Sequence, residues 1–120
     1  MNLLFEKTSE LDGAFLNIID PYVVMDLDFN LINMNNSAKE FLGYDHNFDK
    51  LNLSDLVHKD YVQYSMESMK TLFEVGILKN YKAKIVVKDG SVKAVQINSS
   101  IIYDKDRKPI AAQGIIRDIT

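Results

Sequence analysis

The feature that most constrains this chain is a series of three β-rich segments in its last third. Residues 81–87 alternate between apolar and mostly lysine side chains, and residues 92–103 keep the same period of two. Between them lies Asp89-Gly90, which is typical of a hairpin because Gly adopts positive φ at no steric cost. A polar turn then leads to residues 110–120. The pattern predicts an antiparallel three-stranded meander whose apolar face the preceding residues must cover.

The residues before this meander predict a second, shorter hairpin and a short helix. Residues 22–26 and 31–34 have the pattern of two strands joined by a turn. Ser37 and Glu40 fit a capping box, in which each side chain bonds a backbone N–H at the start of a helix. Gly43 is expected to end that helix in the left-handed conformation.

The longest predicted helix lies between the two hairpins, after a helical turn at residues 51–57. Asp60 is expected to cap this helix and Gly76 to end it. One side of it is apolar, and we expect that side to face the sheet: Val62, Met66, Met69 and Phe73.

These elements predict an α+β fold. Two short strands are not stable alone, so one five-stranded antiparallel sheet with the helices on one face is expected. Residues 1–20 form a separate N-terminal unit, predicted as an amphipathic helix, and residues 21–120 form the core. Two interpretations of the helix stay open: it packs on its own domain, or it forms the seam of a homodimer. The residues of this stripe are Leu4, Leu11, Phe15 and Ile18.

Composition excludes several classes of function. The chain has 120 residues, so it is one domain, and its formal net charge of −3 gives no reason to expect nucleic-acid binding, which usually uses a concentrated basic face. It contains no cysteine, which rules out disulfides and thiolate metal sites. No apolar run reaches the length of a membrane span, and the first residues do not resemble a signal peptide. A cytoplasmic domain is expected.

The ordered set of turns resembles the PAS domain family over residues 11–120. The family's usual proline at the start of its first short helix is replaced by Asn36. The resemblance implies the strand order 2-1-5-4-3, with the last strand at the centre beside the first. The segments that carry it are Asp26-Leu27-Asp28, Asn35, Phe41-Leu42-Gly43-Tyr44, His58-Lys59-Asp60, Lys88-Asp89-Gly90 and Arg117-Asp118-Ile119-Thr120.

The resemblance also implies a role. PAS domains are sensory or dimerisation modules of signalling proteins, and a histidine kinase of a two-component system is the first candidate for the parent, with a nucleotide cyclase as another. In the family, the last strand runs into a signalling helix that leads to an output domain. Asp118 and Thr120 would therefore lie at the signal exit. Since that helix does not follow Thr120, we expect either a fragment or a stand-alone module.

The cofactors of the family fit this sequence poorly. A cysteine-adduct flavin cannot form without cysteine, and Ile116 occupies the position of that subfamily's glutamine. Haem needs an axial ligand, but the long helix has no His; His58 lies before it and His46 in a polar loop. Two histidines without a third ligand do not indicate a zinc site.

An enzymatic role is not expected for the isolated domain. The paired carboxylates Asp26 with Asp28, and Asp104 with Asp106, lie in turns, where they usually bond their own backbone. No nucleophile–base pair and no phosphate-binding glycine loop can be assembled.

The space under the long helix is the candidate ligand site. Most of its side chains are apolar and would serve equally as a core; Ser99 and Gln113 are polar exceptions, and a buried polar group needs a partner. A small-molecule ligand would support a sensor, whereas a filled core and a dimer seam would support the alternative, a ligand-free dimerisation scaffold. The candidate lining comprises Met66, Met69, Phe73, Ile85, Ile97, Ser99, Ile101 and Gln113, with Leu72, Val87 and Val95 beside them.

Overall fold

The computed structural model describes residues 20–44 and 51–120. The predicted N-terminal helix, the seam residues Leu4, Leu11, Phe15 and Ile18, and His46 lie outside this part of the chain. The elements are β1 (Tyr22–Met25), β2 (Leu31–Met34), α1 (Asn36–Leu42), α2 (Leu53–Leu56), a 3-10 turn (Lys59–Tyr61), α3 (Val62–Val75), β3 (Ile77–Val86), β4 (Val92–Tyr103) and β5 (Pro109–Asp118).

The strands form one five-stranded antiparallel sheet in the order β2-β1-β5-β4-β3. β5 is central: Gly114 pairs with Val23 of β1 on one side and with Ser99 of β4 on the other. The predicted fold and strand order are therefore confirmed. The side chains of alternate residues point to opposite faces, so β5 contributes to two separate clusters.

The helices cover one face of the sheet, here called the inner face, and the main core lies between them. Its buried strand residues include Val23, Met25, Ala83, Ile85, Val95 and Ile116. A second, smaller cluster lies on the opposite face and consists of Tyr22, Val24, Ile102 and Ala111. None of the helices in the described part of the chain is both long and apolar enough to cross a membrane.

The strand boundaries lie within two residues of the predicted ones except at the start of β3. β4 and β2 have the predicted limits, but β3 begins at Ile77, four residues earlier than predicted. A register irregularity between Leu78 and Tyr81 breaks the alternation, and Asn80 there has φ 57°. The Asn80 N–H donates to the Asn98 side chain at 3.0 Å, so β4 stabilises this irregularity.

The predicted helix starts were wrong, whereas the predicted stops are correct. Asn35, not Ser37, caps α1: its side chain accepts from the Ala38 N–H, and Ser37 lies inside the helix. Likewise His58 Nδ1 accepts from the N–H of Asp60, which places Asp60 inside the 3-10 turn rather than at a cap. Gly43 and Gly76 end α1 and α3 at φ 83° and 90°.

The buried side of α3 differs from the predicted apolar stripe. Ser65, Ser68, Met69 and Leu72 are buried, whereas Met66 and Phe73 are 63% and 41% exposed and Val62 is exposed as well. The four buried residues lie at i, i+3, i+4 and i+7, one face of a helix. Small serines occupy this face because Tyr81 of β3 projects against it and bonds Ser65.

Exposed aspartates in the turns make the free energy of unfolding depend on pH. Two hydrogen bonds from Asn30, from its backbone N–H and its side-chain amide, hold the pKa of Asp26 below the ordinary 3.8. Ser91 lowers the pKa of Asp89, and Thr120 that of Asp118, in the same way. A lowered folded-state pKa contributes stability above the unfolded pKa, and this contribution is lost as the pH falls through the folded value.

We therefore expect the free energy of unfolding to decrease as the pH falls below 3.8, and Asp26→Asn to reduce that decrease. The Asn side chain keeps a carbonyl acceptor for the backbone but no longer titrates in this range. Urea unfolding of both proteins between about pH 3 and pH 7 measures the difference. Identical pH dependence in the two proteins would contradict the assignment to Asp26.

Candidate functional site

An enclosed cavity of about 50 Å³ lies between α3, the inner face of the sheet and α2. Its walls are mostly aliphatic, and all five strands contribute to them. Representative lining residues are Val23, Leu53, Met69, Ile85, Ile97 and Ile116. The cavity is therefore in the apolar core and not on the surface.

Two of the three hydroxyl groups at the cavity wall bond each other. The Ser65 Oγ and the Tyr81 hydroxyl are 2.5 Å apart and both residues are buried. Burial raises the pKa of Tyr81 above 10.0, and its hydrogen bond to Ser65 opposes that rise only in part. The phenol is consequently neutral at physiological pH, and this pair brings no charge to the cavity.

The third hydroxyl belongs to Ser99, on the central part of β4. Ser99 is only 6% exposed, and its side chain makes no hydrogen bond with any residue of the ranges 20–44 and 51–120. Gly114 of β5 lies directly across from it: a Cβ atom at Gly114 would be 3.2 Å from Ser99 Oγ. The absence of a side chain at Gly114 thus accommodates this hydroxyl close to the backbone of β5.

A wider groove of about 350 Å³ lies on the other side of α2 and α3. It contains three exposed apolar side chains of α3, namely Val62, Met66 and Phe73, and Phe29 packs against Phe73 at 5.5 Å between ring centroids. The groove and the cavity share four lining residues: Leu53, Val57, Ser65 and Met69. One layer of side chains separates the groove from the cavity.

The structure brings some of the candidate lining residues together and separates others. Met69, Ile85, Ile97 and Ser99 line the cavity. Met66 and Phe73 line the groove because the helix presents its serine side to the sheet. Ile101 is buried in the main core but is not at the cavity wall.

Gln113 lies on the opposite face of the sheet, so it does not reach the cavity. It follows Ala112 and precedes Gly114, which both face inward, and its partner across the strands is Val24. Its side chain accepts from the Tyr22 hydroxyl and donates to Ser100 Oγ at 3.0 Å. The period of two along β5 places Gln113 there.

Eleven of the described lining residues lie outside the predicted set, among them Ser65, Tyr81 and Leu53. Tyr81 carried a signal, because it alternates with Ala83 and Ile85 on one face of β3. Ser65 and Leu53 carried none, because a serine in a helix and a leucine in a short helical turn give no indication of which wall they meet.

The predicted exit residues lie at the C-terminal end of the central strand β5: Asp118 is its last residue and Thr120 follows two residues later. Asp118 Oδ1 accepts from the Thr120 N–H at 2.9 Å, and Thr120 Oγ1 bonds both the N–H and the carbonyl of Ala94, at 3.1 and 3.2 Å. The Ile119 N–H also donates to the Ala94 carbonyl at 2.9 Å. The end of β5 is therefore held against the start of β4.

Metal ligands do not converge in the part of the chain that the structure describes: no three His, Cys, Asp or Glu side chains there could hold an ion. His58 uses Nδ1 to accept from the Asp60 N–H, and its ring lies edge-on to Tyr61 with centroids 6.4 Å apart. The predictions about haem and flavin stay predictions.

Sequence comparison gives one match. A sequence model described as "PAS domain" matches residues 19–120. A search of curated proteins found no match.

Several solved structures share the fold. A PAS domain from Colwellia psychrerythraea is 23% identical, with a TM-score of 0.84, over 92% of this chain and 95% of that chain. A domain of a sensory box sensor histidine kinase/response regulator from Geobacter sulfurreducens is 18% identical, with a TM-score of 0.76, over 96% of both chains. A light-oxygen-voltage domain, described with a flavin analogue, is 16% identical, with a TM-score of 0.78, over 96% of this chain and 88% of that one.

Proposed function

Because this chain belongs to the PAS domain family, we propose that it is the sensory module of a signal-transduction protein, in which a small ligand under α3 controls an output domain beyond β5. The observation that carries the proposal is the position of β5. Gly114 and Ile116 of this strand line the cavity, and Asp118 ends the strand two residues further on. One rigid element therefore connects the cavity to the signal exit.

A ligand could act on β5 through its contact with the wall of the cavity. Any molecule larger than the present space must displace Ile116, Met69 or their neighbours, and packed cores respond to such displacement by moving as units. The hydrogen bonds from Thr120 and Ile119 to Ala94 would transmit movement of β5 relative to β4. The ligand changes output only if it binds one arrangement more tightly than the other.

A cytoplasmic histidine kinase of a two-component system is the proposed parent, with a nucleotide cyclase as the alternative. Family membership and the fold shared with the Geobacter sulfurreducens sensor kinase domain support the kinase. The proposed ligand is neither haem nor a cysteine-adduct flavin, since the chain has no cysteine and His58 bonds the Asp60 backbone. The isolated domain is proposed to be regulatory and not an enzyme.

A ligand-free dimerisation scaffold is the second candidate. The small size of the cavity, about 50 Å³, favours it, because a filled core needs no ligand. The proposed seam would be Leu4, Leu11, Phe15 and Ile18 of two copies, which is a self-complementary contact about a two-fold axis.

Asp118→Ala tests the sensory proposal in the signalling protein that carries this domain. We expect the stimulus-dependent change in output to fall about fivefold or more, the lower end of typical coupling between sites. The thermal melt of the isolated domain should hardly change, because Asp118 is exposed and its side chain bonds only the neighbouring Thr120 among the described residues.

Asp89→Ala is the matched control. Asp89 is also exposed and makes the same local bond, from the Ser91 N–H to Oδ1 at 2.8 Å, but it lies in the β3–β4 hairpin. Output should be normal in this variant. Normal output with Asp118→Ala as well would refute the role given to the end of β5.

A further inference from the structure

We propose that the cavity and the groove together form one site for a neutral, single-ring molecule whose one hydrogen-bonding group is directed at Ser99 and whose path of entry passes Met69. This inference rests on the proposed sensory function and adds the chemical class of the ligand. Four observations carry it: a buried hydroxyl without a side-chain partner among the described residues, a cavity wall without charged side chains, a glycine packed closely against that hydroxyl, and a thin partition between two concave spaces.

The Ser99 hydroxyl is the first observation. Burying a hydroxyl group without a hydrogen-bond partner is unfavourable, and buried polar groups in native proteins are nearly always bonded. Ser65 and Tyr81, on the same wall, satisfy this rule through each other at 2.5 Å. Ser99 is 94% buried and has no side-chain partner in the described ranges, so a ligand group is the partner that the site lacks.

The charge of the wall sets the charge of the ligand. No Asp, Glu, Lys, Arg or His is among the described residues that line the cavity, and Lys70, which lines the groove, is exposed to solvent. A charged ligand would lose its hydration there without gaining an opposite charge, which is strongly unfavourable. Aliphatic side chains dominate the wall, so the body of the ligand is apolar and its polar group is single.

Gly114 lets the Ser99 hydroxyl lie close to the backbone of β5. Its backbone needs no positive φ, so conformational freedom does not explain glycine here. A Cβ atom would come within 3.2 Å of Ser99 Oγ and 3.6 Å of Ile97 Cγ2. Any larger residue at this position would therefore crowd the Ser99 hydroxyl.

The size of the ligand follows from the two volumes. An apolar cavity of about 150 Å³ accommodates benzene, whereas this cavity has about 50 Å³. A ring therefore fits only if the partition toward the groove of about 350 Å³ moves. Met69 belongs to that partition, and the unbranched methionine side chain changes shape at low cost.

Phenol and toluene are the probes that test this site, because they are similar in size and differ in one hydroxyl group. NMR titration of the full 120-residue chain measures the dissociation constant of each probe, for the wild type and for Ser99→Ala. We expect both probes to bind the wild type. The preference for phenol over toluene should drop about 3- to 10-fold in Ser99→Ala, the value of one hydrogen bond. The ratio of the two dissociation constants is compared between the two proteins, so the difference in hydration between phenol and toluene cancels.

Ser100→Ala is the matched control, since Ser100 is the next residue of β4 and faces the other side of the sheet, where it accepts from Gln113. The preference of Ser100→Ala for phenol over toluene should equal that of the wild type. Gly114→Ala is a second variant, and it should weaken both probes because its Cβ occupies the space beside Ser99. Benzoate, the charged analogue, should not bind.

Three results would overturn the inference: no binding of phenol or toluene to the wild type, the same preference in Ser99→Ala as in the wild type, or binding of benzoate at this site. These results are distinct from failure of the sensory role. If the probes do not bind but Asp118→Ala still uncouples output, the ligand class is wrong and the sensory function stands.

Discussion

Replacing Asn35 with alanine is expected to lower the free energy of unfolding by about 3 kcal/mol. Asn35 is fully buried and joins the start of β1 to the start of α1. Its Oδ1 accepts from the N–H groups of Tyr22 and Ala38, at 3.0 and 2.9 Å, and its Nδ2 donates to the Asp20 carbonyl at 3.1 Å. Alanine leaves these backbone groups without their partner in a place that water does not reach, and each such group costs about 1–3 kcal/mol.

Asn52→Ala is the control for the Asn35 variant. Asn52 also caps a helix, accepting from the Ser54 N–H at 3.0 Å, but it is only partly buried, and water can replace it. Its loss should cost about 1 kcal/mol. Urea unfolding followed by circular dichroism measures both values. Equal destabilisation by the two variants would mean that burial of the cap does not determine its contribution.

Leu72→Ala is expected to lower the free energy of unfolding by about 3–4 kcal/mol, because removal of a buried leucine loses transfer free energy and leaves a cavity. Leu72 is fully buried in α3, one turn after Ser68 and Met69. Its N-terminal neighbours on the same side line or border the cavity, so the variant also enlarges the empty space under the helix.

Phe73→Ala is the matched control for Leu72. Phe73 is the next residue of the helix and is larger, but it is 41% exposed in the groove, where it contacts Phe29. About 1 kcal/mol is expected, since little of its surface leaves water on folding. Chemical denaturation of both variants gives the comparison. A greater loss of unfolding free energy with Phe73→Ala than with Leu72→Ala would mean that the predicted apolar side of α3, and not the observed one, packs on the sheet.

The sequence determined the sheet and most of its boundaries. Alternation with a period of two is a local property, so it predicted β4 at residues 92–103 and the burial of Tyr81, Ala83 and Ile85. Glycine at the helix ends is also local, and Gly43 and Gly76 end their helices as expected. The strand order came from the resemblance, because pairing between distant strands leaves no trace in local pattern.

The helix starts show where local chemistry fails. Ser37 and Asn35 are both good caps, and the sequence favoured Ser37 because of Glu40. Asn35 caps the helix because its side chain also bonds β1, thirteen residues earlier in the chain, and only the assembled sheet brings the two together.

For the candidate site, too, some residues were predicted correctly from the sequence and others were not. Period two predicted correctly that Ser99 faces inward, with Ile97 and Ile101 beside it on β4. The same period puts Gln113 on the other face of β5, where it bonds Tyr22 and Ser100. Gln113 therefore does not line the cavity, although its sequence neighbour Gly114 does.

Only the tertiary structure decided which side of α3 meets the sheet and what Ser99 faces. A hydrophobic pattern favours the side with Met66 and Phe73, but Tyr81 needs small, hydroxyl-bearing neighbours, and Ser65 supplies one at 2.5 Å. The serine side of α3 therefore faces the sheet, and Met66 and Phe73 lie in the groove. Among the residues that the structure describes, Ser99 has no side-chain partner because Gly114 and aliphatic side chains from distant segments surround it, and contacts of that kind exist only in the folded chain.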